Sequence, residues 1–202
     1  MNWIRPPGPV ADGLVIGLLG GSFNPAHAGH LYVSDTARKR LKLDGVWWLV
    51  SPQNPLKSAA GMGDFAARLA GARRLAARHP FIHVTGLEAD IGTRFTYDTL
   101  KVLRQRFARV RFVWLMGSDN LDQFDRWRHW TAIPALVPVA VVQRPGSILA
   151  AMKAKAARRF GVVRERLAPP AVTVLDGARN PESATRLREL GSSKLGTELR
   201  PC

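Results

Sequence analysis

Apolar residues are gathered into short runs at Leu14 to Leu19, Val46 to Val50, Phe81 to Val84, Val110 to Leu115, Val137 to Val142 and Val172 to Leu175. Their length and their β-branched or aromatic content predict buried strands. The intervening segments carry a helical period. Leu31, Ala37 and Leu41 share one face, and Phe65, Leu69, Ala72 and Leu75 share another. Further helices are predicted at Tyr97 to Phe107, after Asp119, at Ile148 to Phe160 and at Glu182 to Leu190. Strand and helix alternate, which predicts an α/β fold: a doubly wound parallel sheet with helices on both faces. Such sheets bind ligands beyond the carboxyl ends of their strands, where the strand order reverses.

The 202 residues suit a single domain with a sizeable core. Residues 1–11, with Pro6, Pro7 and Pro9, read as a loose leader, and 191–202 as a short helix or tail. The Gly61-Met62-Gly63 stretch reads as a loop before a helix that Asp64 can cap. Thirty Lys and Arg against 15 Asp and Glu give a formal charge of +15, which suits anionic partners without choosing among nucleotides, nucleic acid and acidic lipid. The arginines are scattered over helix-like segments rather than clustered, so a solvated basic surface explains much of the excess. The one cysteine, Cys202, excludes an internal disulfide and a metal site of several thiolates, and a reducing cytoplasmic compartment fits. No apolar stretch is long enough to span a bilayer.

Gly20-Gly21-Ser22-Phe23-Asn24-Pro25-Ala26-His27-Ala28-Gly29-His30 lies between the first predicted strand and helix. There glycines let a ligand approach the backbone, and a helix start presents N–H groups to an anion. His27 and His30 are spaced to share a face and donate to phosphate oxygens. Capping or ordinary core hydrogen bonding is the plainer role for a lone histidine. The string is neither the lysine-containing phosphate loop nor the dinucleotide fingerprint.

It does resemble the (H/T)xGH signature of the nucleotidyltransferase α/β phosphodiesterase superfamily, whose sheet is Rossmann-like. In its fuller form it is similar to nicotinate-mononucleotide adenylyltransferases. Four later segments resemble that family in order: Pro52 to Lys57, Phe95 to Leu100, Met116 to Asp119 with Phe124 to Trp130, and Glu182 to Arg188. The resemblance implies roles. Gly20, Gly21, Ser22, Phe23, His27, His30, Gly117, Asp119, Ser183, Thr185 and Arg188 would hold ATP. Asn24, Lys57, Thr96, Trp127 and Arg144 would hold the pyridine nucleotide, with Trp127 stacked on the ring and amides near Thr96 on its carboxylate. His27, His30, Lys57 and Arg188 would be the catalytic cations and donors, with Mg²⁺ accompanying ATP. The last segment departs from the family pattern at Glu182 and Ala184.

The reaction so implied joins ATP and nicotinate mononucleotide, releasing pyrophosphate, in NAD biosynthesis. An adenylyltransferase for another phosphate monoester, such as phosphopantetheine, is the rival within the superfamily. The Trp127 segment and the Phe95 to Leu100 string disfavour it. A basic nucleic-acid-binding module is the rival from another class, and the sequence carries no motif for reading DNA or RNA.

Overall fold

The computed structural model describes residues 5–52, 61–143, 159–160 and 169–175. Six parallel strands form one sheet: β1 (Val15–Gly21), β2 (Gly45–Val50), β3 (Ile82–Thr85), β4 (Arg111–Gly117), β5 (Val139–Val142) and β6 (Val172–Leu175). They stand in the order β3-β2-β1-β4-β5-β6. All six expected strands are present, and the order reverses between β1 and β4, as in doubly wound sheets.

Alternate residues of each strand enter two cores. On one face Val46, Trp48 and Val50 pack with Val33, Ala37, Leu41, Ala72 and Ala76, from α1 (Ala28–Leu41) and α2 (Phe65–Ala76). On the other face Trp47, Leu49, Trp114 and Met116 pack with Leu87, Leu100, Leu103 and Ile133. These last come from α3 (Leu87–Asp90), α4 (Thr96–Arg106) and α6 (Ile133–Leu136), and α5 (Ser118–Leu121) follows β4. With both faces covered, the central strands bury every side chain except at their ends, which is why they read as continuous apolar runs.

Helix registers differ from expectation in detail. The buried face of α1 is Gly29, Val33, Ser34, Ala37 and Leu41, with Leu31 only partly buried. That of α2 is Arg68, Ala72 and Ala76, with Phe65, Leu69 and Leu75 at its margin. Asp64 caps α2 as expected, its carboxylate accepting from Ala67 N at 3.0 Å. By contrast, neither Thr96 nor Asp98 caps α4. Its N-cap position is Phe95, with no side-chain hydrogen bond, because Thr96 and Asp98 both lie inside the first turn.

The expected helices at Ile148 to Phe160, apart from Arg159 and Phe160, and at Glu182 to Leu190 lie outside the described residues, as does the 191–202 tail.

Candidate active site

The sheet opens where its order reverses. Pairing of β1 with β4 stops at Leu19 opposite Leu115, whereas pairing with β2 runs on to Gly21 opposite Val50. Strand β4 meanwhile continues beside β5 as far as Gly117 opposite Val142. The two central strands therefore part over their last residues and leave a crevice between the ends of β1 and β4, where parallel sheets of this kind take ligands.

This register corrects the placement of two glycines. Gly20 and Gly21 are the last residues of β1, not part of the following loop. A Cβ on Gly20 would stand 2.3 Å from the Trp114 ring, so this glycine makes room for an indole. A Cβ on Gly21 would meet only Phe23, at an ordinary 3.5 Å.

Beyond the crevice the chain turns into α1 through a histidine capping box. His27 is the N-cap, and its Nδ1 accepts from Gly29 N at 3.0 Å. His30 Nδ1 in turn accepts from His27 N at 3.2 Å. Capping and phosphate binding are thus not rival roles here. An Nδ1 that accepts must carry no proton, so each neutral ring holds its proton on Nε2 and presents that edge as a donor. The two rings lie 4.0 Å apart between centroids, with His27 buried and His30 half-buried.

Residues that pattern reading did not single out hold His30 in place. Ser34 Oγ donates to His30 O at 2.8 Å, and the buried Trp48 Nε1 donates to Ser34 Oγ at 2.8 Å. Phe23, expected among the ATP-binding residues, is buried with its ring stacked on His30 at 4.5 Å and on Trp48 at 5.1 Å. Its side chain therefore supports the histidine. It does so at a φ of 46°, a left-handed conformation that a bulky residue adopts at a cost of about 1–3 kcal/mol. Asn24, expected beside the pyridine nucleotide, turns its amide onto the chain ahead of α2. Nδ2 donates to Gly61 O at 2.9 Å and Oδ1 accepts from Gly63 N at 3.2 Å.

Across the crevice, two segments far apart in sequence meet. Arg128 pairs with Asp98 at 3.5 Å and lies over the Phe95 ring at 5.0 Å, while His129 packs on Tyr97 at 4.8 Å. The Trp127 segment is thereby docked on the start of α4. Thr96 is half-buried there, at a helix start where the Asp98 and Thr99 N–H groups donate to Phe95 O and those of Thr96 and Tyr97 lie ahead of the helix's own ladder. Trp127, partly buried, stands edge-on to Trp114 at 5.9 Å and to Phe124 at 5.4 Å. Trp130 is equally only partly buried, packing on Phe124 and Phe160, so it is no more a core residue than Trp127. Gly117 closes β4, and Asp119 is exposed two residues beyond it.

Beneath this junction lies an acid that the sequence reading passed over. Glu88 is buried, and its Oε1 accepts from Thr99 Oγ1 at 3.0 Å, while Thr99 shares a 2.8 Å hydrogen bond with Thr93. Burial raises its pKa from 4.5 to about 7, against the opposing effect of hydrogen bonds from Thr99 and Ser51. Lys57, Arg144, Ser183, Thr185 and Arg188 lie outside the described residues. Among the described residues no three His, Cys, Asp or Glu side chains converge to hold a metal ion. Nor is any described helix long and apolar enough to cross a membrane.

Residues 18–190 match the cytidylyltransferase-like family model. A protein of Parvibaculum lavamentivorans named "Probable nicotinate-nucleotide adenylyltransferase" is 50% identical over 92% of this chain and 96% of its own length. One of the same name from Cereibacter sphaeroides is 59% identical over 73% of this chain and 77% of its own. Among solved structures, a Plasmodium falciparum nicotinic acid mononucleotide adenylyltransferase complexed with NaAD superimposes with a TM-score of 0.65, at 17% identity, over 93% of this chain and 86% of that one, and shares the fold. With its histidine box at the opening of a doubly wound sheet, the chain belongs to the cytidylyltransferase-like family and, within it, to the nicotinate-nucleotide adenylyltransferases.

Proposed function

We propose that this protein joins ATP and nicotinate mononucleotide to give nicotinate adenine dinucleotide and pyrophosphate. An oxygen of the mononucleotide phosphate attacks the α-phosphorus of ATP in line. A new P–O bond forms as the bond from the α-phosphorus to the bridging oxygen breaks, and pyrophosphate departs with that electron pair. The attacking phosphate is already ionised near neutral pH, so no general base is required. Catalysis reduces to alignment and to donors aimed at the developing charge.

The observation that carries this reading is the two-sided crevice between β1 and β4. On one side stands the His27 and His30 pair, whose Nδ1 atoms accept from the helix start and whose Nε2–H edges would donate to triphosphate oxygens. On the other stands the Trp127 segment, docked on the α4 N-terminus with Trp114 between it and Gly20. An aromatic face beside the first N–H groups of a helix suits a pyridine ring bearing a carboxylate. Lys57 and Arg188 complete the proposal as further cations toward the phosphates. Ser183 and Thr185 serve there as hydroxyl donors, Asp119 as the acceptor for ribose hydroxyls, and Arg144 on the pyridine-nucleotide side. Magnesium would accompany ATP and offset the charge of its phosphates. A cytoplasmic setting, where both substrates are at hand, belongs to the same proposal.

His30→Ala tests the assignment. It removes one preorganised donor, for which a turnover loss of about 10²- to 10³-fold is expected. It also removes the acceptor for His27 N, a helix-cap loss of about 1 kcal/mol that leaves the protein folded. Near-native turnover in a folded His30→Ala protein would remove the histidine pair from the mechanism.

A further inference from the structure

Arg68 occupies the fourth position of a helix whose remaining arginines are exposed, yet it is only 5% exposed itself. Among the described residues its guanidinium meets no carboxylate at hydrogen-bond distance. It donates instead to four backbone carbonyls from three stretches of chain. Nε reaches Gly63 O at 2.9 Å, Nη1 reaches Ser22 O at 2.5 Å and Ser51 O at 2.8 Å, and Nη2 reaches Pro52 O at 2.8 Å. Four of the five N–H donors that a guanidinium carries are thus committed. Ser22 opens the turn that leads to His27, Ser51 and Pro52 leave the end of β2, and Gly63 immediately precedes the Asp64 cap of α2. Asn24 ties the same turn to Gly61 and Gly63 from the other side.

These acceptors explain why a cation is buried here. Loop carbonyls at the ends of β1 and β2 have no strand partner, and leaving them buried without donors would cost about 1–3 kcal/mol each. One planar fork satisfies them together, which an ammonium with three donors on a flexible stem does less completely. Desolvation works against the charge, and Asp64, one turn earlier on the same helix, favours it.

We propose that Arg68 is a positioning residue for adenylyl transfer: by clamping the Ser22, Ser51 and Gly63 carbonyls it fixes the histidine-bearing turn relative to the chain leaving β2. This rests on the proposed function, in which the turn after β1 carries donors to ATP and the segment after Pro52 carries Lys57. Arg68 itself touches no reacting atom. Its effect is on alignment, so its loss lowers turnover more than it weakens binding. A misplacement of 1 Å can cost about 10²-fold in rate.

Three variants test this by pyrophosphate release, each normalised to its folded fraction by circular dichroism. Arg68→Met keeps the apolar stem and loses every donor. Its kcat is expected to fall about 10²-fold while KM for ATP moves by no more than about threefold. Arg68→Lys keeps the charge without the fork and is expected to lose about 10-fold in kcat. Arg68→Ala, supplied with guanidinium ion well below denaturing concentration, is expected to regain part of the lost turnover. Native kcat in folded Arg68→Met or Arg68→Lys would overturn the proposal. So would activity lost only in proportion to unfolded protein, with no recovery by guanidinium in Arg68→Ala. Wild-type protein that releases no pyrophosphate from ATP and nicotinate mononucleotide would instead overturn the functional reading.

Discussion

Glu88→Gln should change how stability depends on pH. In the unfolded chain Glu88 titrates at its ordinary 4.5, and in the folded protein burial lifts it to about 7. Below 4.5 both states hold the proton and the residue makes no pH-dependent contribution. As pH rises from 4.5 to 7 the unfolded state releases its proton first, so unfolding becomes progressively easier. Above 7 the folded state must bury the carboxylate, and the full penalty is present. A rise from 4.5 to about 7 corresponds to on the order of 3 kcal/mol, an upper figure because Glu88 retains some exposure. Glutamine has nearly the same shape, keeps an oxygen to accept from Thr99 and does not titrate. Urea unfolding at pH 5, 6, 7 and 8 should therefore show Glu88→Gln gaining on wild type with rising pH and levelling off above 7, with unchanged m-values. Comparing the two proteins at each pH cancels the titration of every other group. A stability difference independent of pH would refute the burial argument, and one growing toward acid would reverse its sign.

Three further substitutions probe the walls of the crevice. Gly20→Ala places a Cβ 2.3 Å from Trp114, a ring 1% exposed and without room to move, so a loss of about 1–3 kcal/mol is expected in thermal unfolding, while Gly21→Ala is tolerated; equal melting temperatures for the two would contradict the packing account. Trp127→Ala should raise KM for nicotinate mononucleotide more than KM for ATP, measured by initial rates with each substrate varied. Equal rises in both would reduce Trp127 to a packing residue on Trp114 and Phe124.

The sheet was legible because its signal is local. Val46 to Val50 is apolar without interruption since both faces of β2 are covered, and Asp64 announces α2 through a bond within its own first turn. What escaped depends on distant chain. That Gly20 and Gly21 belong to β1 follows from their register with Leu49 and Val50, which no local pattern encodes. Phe23 looked like part of a ligand loop, and only the approach of Trp48 and His30 turns its ring inward. Glu88 reads as an ordinary acid in a short helix until Thr99 and Ser51 close over it. Arg68 left a trace, since it shares the spacing of Ala72 and Ala76 on the buried face of α2. A charged residue on an apolar stripe is the signal that could have found it. Its acceptors at Ser22, Ser51 and Pro52 come from other elements and become visible only in the fold. Conversely, the histidine pair was legible from its spacing, its flanking glycines and its place between strand and helix, because a capping box is itself a local structure.

The central claim is transfer of an adenylyl group to a pyridine mononucleotide, and pyrophosphate release from ATP tests it most directly. The purified protein would be assayed with magnesium and, in parallel, with nicotinate mononucleotide, nicotinamide mononucleotide and phosphopantetheine. The expected result is release that requires a mononucleotide, proceeds faster with the nicotinate than with the nicotinamide form, and yields nicotinate adenine dinucleotide in equal amount. Release driven by phosphopantetheine, or none with either pyridine mononucleotide, would contradict the account.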